Sequence, residues 1–423
     1  MNLSPNIHRN SLQNKHIAII FAFALAASLT MVFGVFRLQN LVANSGDPYH
    51  YGEIARGFVE HGFTVLTRRA ASLYPELIAV VYRLGGGDLV VFLLQCLLHV
   101  GTCLLAYLLG TRLFNSRTGL LAGLFCALHP MLLRYVSDLH METVLTFGCM
   151  LTIWLAVRFH DRPSLPNSAL LGAVGMITVL TKGVILPFLG LFGIISGITA
   201  LRRRSAKEIV AVLVMFTTMA LLLAPWTYRN YQVTGGRFVL ITPGTSDSFL
   251  RGYVFTRLEF ATLQKPPYTD AENEVNAWFR KIAQDAGTVW EADEVVDEVN
   301  NARVAKEMIM TQPLETIRKF VVGLFTFWYE MTSLSTSLIP AILAIGAWML
   351  AIVGLKRARR EGRPAWLIWL PIVVMNVFVA ALIPLGRYSV PILPCLMILA
   401  AFGVDTLLIR RVMATPAVTV TAK

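Results

Sequence analysis

The stretch LVVFLLQCLLHVGTCLLAYLL (residues 89–109) contains 21 consecutive residues without a charged side chain. An α-helix needs about 20 mostly apolar residues to cross the hydrocarbon core of a bilayer. Similar stretches recur along this chain of 423 residues, of which 56% are hydrophobic and only 15% are charged. A soluble domain of this size needs more charge to cover its surface, and a disordered chain needs low hydrophobicity. The sequence therefore predicts an all-α polytopic membrane protein.

Nine further apolar runs, two of them short, bring the number of predicted transmembrane helices to ten. The predicted spans cover residues 17–36, 89–109, 120–133, 141–157, 169–180, 184–200, 209–226, 335–355, 365–384 and 390–409. The first run follows Arg9 and Lys15, as the apolar part of a signal peptide follows basic residues. It is too long for that part and no clean small-x-small cleavage motif follows it. We therefore interpret it as a retained anchor.

The basic residues, which give the chain a net charge of +12, form short clusters between the apolar runs. This distribution argues against nucleic-acid binding, because such clusters at span ends orient a membrane protein. With the N-terminus in the cytoplasm, every short inside loop carries at least two basic residues, whereas short outside loops carry one each. We expect both termini to be cytoplasmic, in a bacterial inner membrane, with an active site that faces the periplasm or exterior.

Two longer outside segments, residues 37–88 and 227–334, divide the chain. They predict an N-terminal transmembrane module (1–226) that contains the first outer loop, an extracytoplasmic helical segment (227–334) and a C-terminal transmembrane module (335–423). The polar stretch 270–310 has apolar side chains at helical spacing, including Val275, Phe279 and Ile282. We expect a small helical insertion there, not a separate catalytic domain.

The first outer loop contains the sequence GDPYHYGEIARGFVEHGF (residues 46–63). Its apolar side chains follow helical spacing, which predicts an amphipathic surface helix. They are Tyr51, Ile54, Ala55, Phe58 and Val59. Asp47 directly precedes Pro48, a pattern typical of a helix N-cap followed by proline at the first helical position. Asp47 is therefore either a helix cap or a general base held at the membrane boundary.

A second ionisable cluster lies in RYVSDLHMETVL (residues 134–145), at the outer start of the fourth span. Asp138, His140 and Glu142 either cap this helix or form the wall of a polar cavity. His50 and His140 could bind a metal ion, but the chain has no DxD or HExxH motif. The five cysteines all lie inside apolar runs without a CxxC pair. We predict no metal or other cofactor, with a divalent ion as the weaker alternative.

Three outer loops each contribute one cation: Lys182 in TKG, Arg229 in APWTYRNY, and Arg387, which Tyr388 follows. Each could be an anchor whose charged end reaches the membrane surface. Three cations at the same depth also suit an anion such as the phosphate of a lipid.

Together these motifs resemble the GT-C superfamily of polytopic glycosyltransferases, most closely its protein O-mannosyltransferase and aminoarabinose-transferase-like members. The resemblance covers most of the chain. Besides the Asp47 loop and the TKG turn, it rests on SLYPELIAVVYRLGG (72–86), SDLHMET (137–143), APWTYRNYQVTGGRFV (224–239) and RYSVPILPCLMILAAFGV (387–404). The family often has a paired acidic motif in the first loop, whereas here Pro48 follows Asp47.

The resemblance implies an inverting glycosyltransferase that moves a sugar from a polyprenyl-phosphate-linked donor to an extracytoplasmic glycan, glycolipid or protein. Asp47 would be the general base and Asp138 a second acidic residue. Lys182 and Arg387 would hold the lipid phosphate, with Arg229 and Tyr388 beside them.

Two other functions remain open at this stage. One is a transporter or flippase of lipid-linked sugars, although transporters place their charged sites near the midplane and on internal repeats. The other is a non-catalytic subunit of a cell-surface polymer assembly, which a substitution of Asp47 would distinguish from an enzyme. The sequence leaves the sugar and the acceptor undefined.

Overall fold

The structure, a computed structural model, describes residues 5–39, 47–62, 73–257, 267–331 and 334–414. Within these ranges every regular element is helical. Ten helices form the first part of the chain: α1 Pro5–Gln39, α2 Asp47–His61, α3 Leu73–Arg83, α4 Asp88–Leu113, α5 Ser116–Leu128, α6 Pro130–Arg134, α7 Glu142–Asp161, α8 Leu165–Thr181, α9 Leu186–Arg202 and α10 Ala206–Val233.

Seven further helices follow: α11 Thr245–Phe255, α12 Pro267–Asp285, α13 Glu294–Thr311, α14 Pro313–Thr326, α15 Leu334–Arg360, α16 Trp366–Ala381 and α17 Leu393–Ala414. Three short 3-10 turns connect helices at Tyr135–Ser137, Gly183–Ile185 and Gly386–Ile392. The prediction of an all-α polytopic protein is therefore confirmed.

Seven described helices are long and apolar enough to cross a membrane; they correspond to α1, α4, α7, α9, α10, α15 and α17. Helices α5 and α6 together pass the same test but are bent by 47°. Two shorter apolar helices, α8 and α16, complete the set. All ten predicted spans coincide with one of these helices or with the bent pair. Full crossing by the bent pair and by the two shorter helices stays a prediction.

Small residues allow the apolar helices to approach closely. A Cβ atom on Gly403 of α17 would lie 2.0 Å from the carbonyl oxygen of Leu350 in α15, and one on Gly354 would lie 2.4 Å from that of Leu399. Lipid is as apolar as the side chains, so helices in a membrane associate through close packing more than through the hydrophobic effect. Residues 393–403 of α17 are all buried. Helix α17 is therefore a central helix of the bundle.

Helices α11 to α14 form a separate cluster, here called the helical unit, at the end of the bundle where Asp47 lies. Its core contains Leu250, Val275, Phe279 and Ile282, which confirms the helical spacing seen in the sequence. Ile383 and Leu385, from the segment between α16 and α17, join the same core. The helical unit is thus packed directly against the chain segment that leads to Arg387. The preceding helix α10 continues to Val233, past the predicted boundary at residue 226.

The predicted surface helix of the first loop is α2. Tyr51, Ala55 and Phe58 are buried on one face and pack with residues of α3 and α4. Because α2 begins at Asp47, this packing fixes the carboxylate at the entrance of the helix.

Candidate active site

An ion pair between Asp47 and Arg387 forms the centre of the site. Nη1 of Arg387 donates to Oδ2 of Asp47 at 2.7 Å, although the two residues are 340 positions apart. The Asp47 side chain is 21% exposed and the Arg387 side chain is 22% exposed. An ion pair that is partly removed from water is screened less than one at the surface. The first outer loop and the segment before α17 are therefore joined at one charged contact.

The backbone around Arg387 is held by a close contact with residue 330. The amide of Gly386 donates to the carbonyl oxygen of Glu330 at 2.7 Å. A Cβ atom at position 386 would lie 2.8 Å from the same oxygen. Only glycine fits there without a shift of the backbone, so the close approach depends on the missing side chain. The 3-10 turn that follows presents Arg387 toward α2.

Lys182 and Arg387 lie on either side of Tyr388. Nη2 of Arg387 donates to the Tyr388 hydroxyl at 3.0 Å, and the Lys182 ammonium lies 3.7 Å from the centre of the Tyr388 ring. Lys182 follows the last residue of α8, where the chain leaves the helix. A cation above an aromatic face is attracted by the ring electrons. The structure thus brings together Asp47, Lys182, Arg387 and Tyr388.

Aromatic side chains surround this charged centre. Tyr51 is buried one helical turn after Asp47, and its ring meets that of Tyr74 edge-on, with centroids 5.5 Å apart. Burial raises the pKa of the Tyr51 phenol well above its usual value, and the carboxylates of Asp47 and Glu142 raise it further. Arg387 acts in the opposite direction. These effects place Asp47, Glu142 and Arg387 around the same phenol.

Asp138 and Glu142 have different surroundings. Oδ2 of Asp138 lies 2.9 Å from Nδ1 of His140, and both side chains are partly exposed. Glu142 lies in the first turn of α7 and is only 3% exposed. Its Oε2 atom is buried and has no hydrogen-bond partner among the described residues. A buried carboxylate without a partner is costly. Glu142 is therefore the acid beside Tyr51 with capacity for a further partner, whereas Asp138 is already paired.

Gln95 of α4 fixes the segment that carries Asp138. Its amide nitrogen donates to the carbonyl oxygens of Val136 and Asp138, both at 2.9 Å. Its amide oxygen accepts from the Tyr74 hydroxyl at 3.0 Å. This buried amide therefore links α3, α4 and the turn before α7.

Arg229 forms a different contact from the other two cations. Its Nη1 atom donates to Oε1 of Glu76 at 2.7 Å, which ties α10 to α3. Burial raises the pKa of Glu76, and Arg229 opposes this effect. Its guanidinium also lies 4.9 Å from the centre of the Trp226 ring. None of the contacts of Arg229 within the described residues is with Asp47, Lys182 or Arg387.

The two histidines of the metal hypothesis have aromatic or acidic neighbours. The His50 ring meets that of Tyr49 edge-on at 5.7 Å, and His140 pairs with Asp138. Across the described ranges, no group of three or more His, Cys, Asp or Glu side chains is arranged to hold a metal ion.

Comparisons with known proteins agree with this architecture. Residues 71–228 match the family model of dolichyl-phosphate-mannose-protein mannosyltransferases. The fold resembles that of the oligosaccharyltransferase AglB from the archaeon Archaeoglobus fulgidus, solved with an inhibitory peptide and a dolichol-phosphate, with a TM-score of 0.54 at 12% identity. Part of the chain is thus similar to a family of glycosyl-transferring membrane enzymes, and its fold is similar to that of an oligosaccharyltransferase.

The apo form of the A. fulgidus oligosaccharyltransferase gives a TM-score of 0.55 at 13% identity. Each of these two alignments covers 94% of this chain and 51% of the other, so the chain spans about half the length of these structures. A comparison with curated protein sequences gives no significant match.

The stretch that matches the family model contains Asp138, Glu142 and Lys182, but not Asp47 or Arg387. The central ion pair therefore joins two segments outside the matched region. The tertiary fold, through the contact of Lys182 with Tyr388, connects that pair to the matched stretch.

Several residues of the site were not predicted from the sequence. Tyr51 and Tyr74 look like ordinary apolar positions of amphipathic helices. Gln95 and Glu76 did carry a signal, because one is an uncharged polar side chain within the span 89–109 and the other is the only acid of α3. Polar residues in apolar helices are costly and usually have a specific partner.

Proposed function

We propose that the chain is an inverting glycosyltransferase that moves a sugar from a polyprenyl-phosphate-linked donor to an extracytoplasmic glycan, glycolipid or protein. The observation that carries this proposal is the Asp47–Arg387 ion pair, with Lys182 and Tyr388 directly beside it. A base and fixed positive charges in one place suit cleavage of a sugar–phosphate bond.

The cations would bind the phosphate of the donor. Arg387 has five N–H donors, so it can hold a phosphate while one of its nitrogens still contacts Asp47. The C1–oxygen bond to the phosphate breaks with its electron pair on the phosphate oxygen, which gains charge. Cations fixed near that oxygen stabilise the transition state more than the ground state. The dolichol-phosphate bound in the AglB structure supports a lipid phosphate as ligand of this fold.

Asp47 would act on the acceptor. Its carboxylate takes the proton of the acceptor hydroxyl while that oxygen forms a new bond to C1 of the sugar. Attack on the face opposite the departing phosphate inverts the anomeric centre. Once the phosphate is bound, Arg387 shares its hydrogen bonds between two anions. Its interaction with Asp47 is then weaker, so the Asp47 carboxylate can accept a proton.

We assign the role of second acidic residue in the reaction to Glu142, whereas the sequence resemblance gave it to Asp138. The buried Oε2 atom of Glu142 has no partner among the described residues, so it can accept a hydrogen bond from a hydroxyl of the sugar or of the acceptor. Helix α7 also packs against the turn that carries Arg387. Asp138 then serves, with His140 and Gln95, to hold the segment before α7.

The membrane orientation is part of the proposal. All charges of the site lie at one end of the bundle, which favours a transferase over a transporter with a midplane site. The distribution of basic residues among the loops supports that end as the outer one, so a lipid-linked donor would reach it from the outer leaflet of a bacterial inner membrane.

Purified protein tests the proposal. It should transfer sugar from a polyprenyl-phosphate sugar without any nucleotide sugar, and Asp47→Asn should lower the rate about 10²- to 10⁴-fold, the usual contribution of a general base. Asparagine keeps an oxygen for Arg387, so the thermal unfolding midpoint should hardly change. Glu60→Gln, at an exposed acid of the same helix, is the matched control.

Two outcomes would overturn the proposal: transfer that requires a nucleotide sugar, or an Asp47→Asn protein as active as wild type. The second outcome would favour a non-catalytic subunit. Mass spectrometry of surface glycans and lipids, with and without the gene, would identify the sugar and acceptor.

A further inference from the structure

A buried lysine joins the helical unit to the end of α16. Lys319 of α14 is only 1% exposed. Its ammonium donates to the carbonyl oxygen of Ala381 at 2.7 Å and lies 3.7 Å from the centre of the Phe249 ring. Within the described residues it forms no ion pair with a carboxylate. This cation is thus balanced by a carbonyl and by aromatic faces only.

Ala381 is the last residue of α16. The final carbonyl groups of a helix lack partners within the helix, and the helix dipole makes that end partly negative. The Lys319 ammonium supplies both a hydrogen bond and a positive charge to this end. The contact therefore defines where α16 stops and where the next segment begins.

Two glycines let the helical unit approach this point. A Cβ atom on Gly252 of α11 would lie 2.0 Å from the carbonyl oxygen of Leu382 and 2.3 Å from Cε of Lys319. One on Gly323 of α14 would lie 3.0 Å from the carbonyl oxygen of Ala380. The backbones of α11 and α14 therefore lie in close contact with the backbone at the end of α16 and in the turn after it.

These close contacts extend toward the site. Ile383 and Leu385 belong to the core of the helical unit, and Gly386 bonds to the carbonyl of Glu330. Arg387 is the next residue. The helical unit and Glu330 therefore contact the chain at several points between Ala380 and Gly386, directly before Arg387.

We propose that Lys319 is a positioning residue for Arg387, and that the helical unit acts through Lys319 to hold the phosphate-binding arginine in place. This inference rests on the proposed phosphate site. Burial disfavours the charged form of Lys319 and lowers its pKa to about 7. An apolar side chain would fill the same space without this unfavourable free energy, so packing alone does not explain the lysine. The titratable group that faces the Lys319 ammonium from α11 is Tyr253, whose ring centre is 5.2 Å away. From α16, among the described residues, the ammonium meets the carbonyl of Ala381 and no acid.

The test is a double-mutant cycle on the affinity for polyprenyl phosphate in detergent micelles, with wild type, Lys319→Met, Arg387→Ala and the double variant. Lys319→Met keeps the length of the side chain but loses the ammonium. It should weaken phosphate binding about tenfold, the typical value of one charged hydrogen bond. The double variant should bind no more weakly than Arg387→Ala alone, because Lys319 acts only through Arg387.

Lys281→Met, at an exposed lysine of α12, is the matched control and should bind as wild type does. Lys319→Arg keeps a cation and its donors, so it should restore most of the affinity if Lys319→Met fails to fold. Unfolding midpoints of all variants separate a loss of fold from a loss of position.

Three results would overturn the inference. Additive losses in the cycle would mean that Lys319 acts independently of Arg387, and unchanged binding by a folded Lys319→Met protein would remove its role altogether. Both leave the proposed function intact. Wild-type affinity of Arg387→Ala would instead overturn the phosphate site itself, and with it the positioning role.

Discussion

Two of the arginine–aspartate pairs, Arg357–Asp405 at one end of the bundle and Asp47–Arg387 at the other, have different surroundings. At one end, Nη1 of Arg357 donates to Oδ2 of Asp405 at 3.0 Å and links α15 to α17. Asp405 is only 3% exposed and accepts a second hydrogen bond at 3.0 Å from Asn115, the residue that caps the start of α5. At the other end, the Asp47–Arg387 pair is about one-fifth exposed and has an additional cation, Lys182, close by.

The difference separates a structural pair from a chemical one. The Asp405 carboxylate is buried between tightly packed helices and receives donors from two of them, so it has little reason to bind a ligand. The Asp47 pair is partly exposed, and Arg387 contacts Tyr388, whose ring also lies beside the Lys182 ammonium. Buried polar groups that only hold a fold tend to be fully partnered, whereas a site that binds an anion keeps spare capacity.

The largest effect on stability is expected at the structural pair. Asp405→Ala leaves Asn115 and Arg357 without their shared acceptor and should lower the free energy of unfolding by about 3 kcal/mol. Sugar transfer per folded molecule should stay within about twofold of wild type. Thermal unfolding and transfer assays on the same preparation measure both quantities.

Asp161→Ala is the control, because Asp161 pairs with Arg112 near the surface. It should cost about 1 kcal/mol or less. A stable Asp405→Ala protein with a strongly reduced transfer rate would break the comparison between the two ends.

The second prediction concerns the two acids near the active site. Glu142→Gln should lower the transfer rate about 10- to 100-fold, because a desolvated charged contact to substrate is typically worth about 1.5–3 kcal/mol. The free energy of unfolding of Glu142→Gln should stay level or rise. The substitution removes the charge of a buried carboxylate, one oxygen of which has no partner among the described residues. Asp138→Asn should change the rate less than about threefold. A larger loss at Asp138 than at Glu142 would return the role of second acid to Asp138.

The smallest effect concerns Glu330, whose backbone holds Gly386. Burial raises the pKa of its carboxyl to about 8, so the folded state keeps a proton that the unfolded state loses. The resulting stabilisation is full below the unfolded pKa of about 4.5 and is lost as the pH rises through about 8. Glu330→Gln removes this dependence.

The thermal unfolding midpoint of wild type should therefore fall as the pH is raised from about 5 to about 9. The fall should be smaller for Glu330→Gln, with a difference of roughly 2 °C between the two proteins. Glu315→Gln, at a more exposed acid of α14, should follow the wild-type curve. Parallel curves for wild type and Glu330→Gln would show that Glu330 is ionised in the folded protein.

Local patterns predicted the helices well. Each apolar run corresponds to an apolar helix, and the spacing of Tyr51, Ala55 and Phe58 predicted the buried face of α2. The same holds for Val275, Phe279 and Ile282 in α12. These features depend on neighbours within one or two helical turns, which a single sequence displays directly.

The partners within the site were beyond such patterns. Sequence reasoning grouped Arg229 with Lys182 and Arg387 because all three lie in outer loops, yet Arg229 binds Glu76. It gave Asp138 more weight than Glu142, although burial and hydrogen bonding distinguish the two. A loop position indicates depth in the membrane, but it does not indicate which helix face lies opposite.

The sequence by itself determined that this protein is a polytopic bundle of apolar helices with its unusual charges between the apolar runs, because hydropathy and helical periodicity are local properties. Only the tertiary structure decided that Asp47 meets Arg387 across 340 positions, that Lys182 lies over Tyr388, and that the helical unit reaches Ala381 through Lys319. These contacts depend on how helices approach one another at glycines such as Gly252, Gly386 and Gly403. Such packing is a property of the whole fold, and no single stretch of sequence contains it.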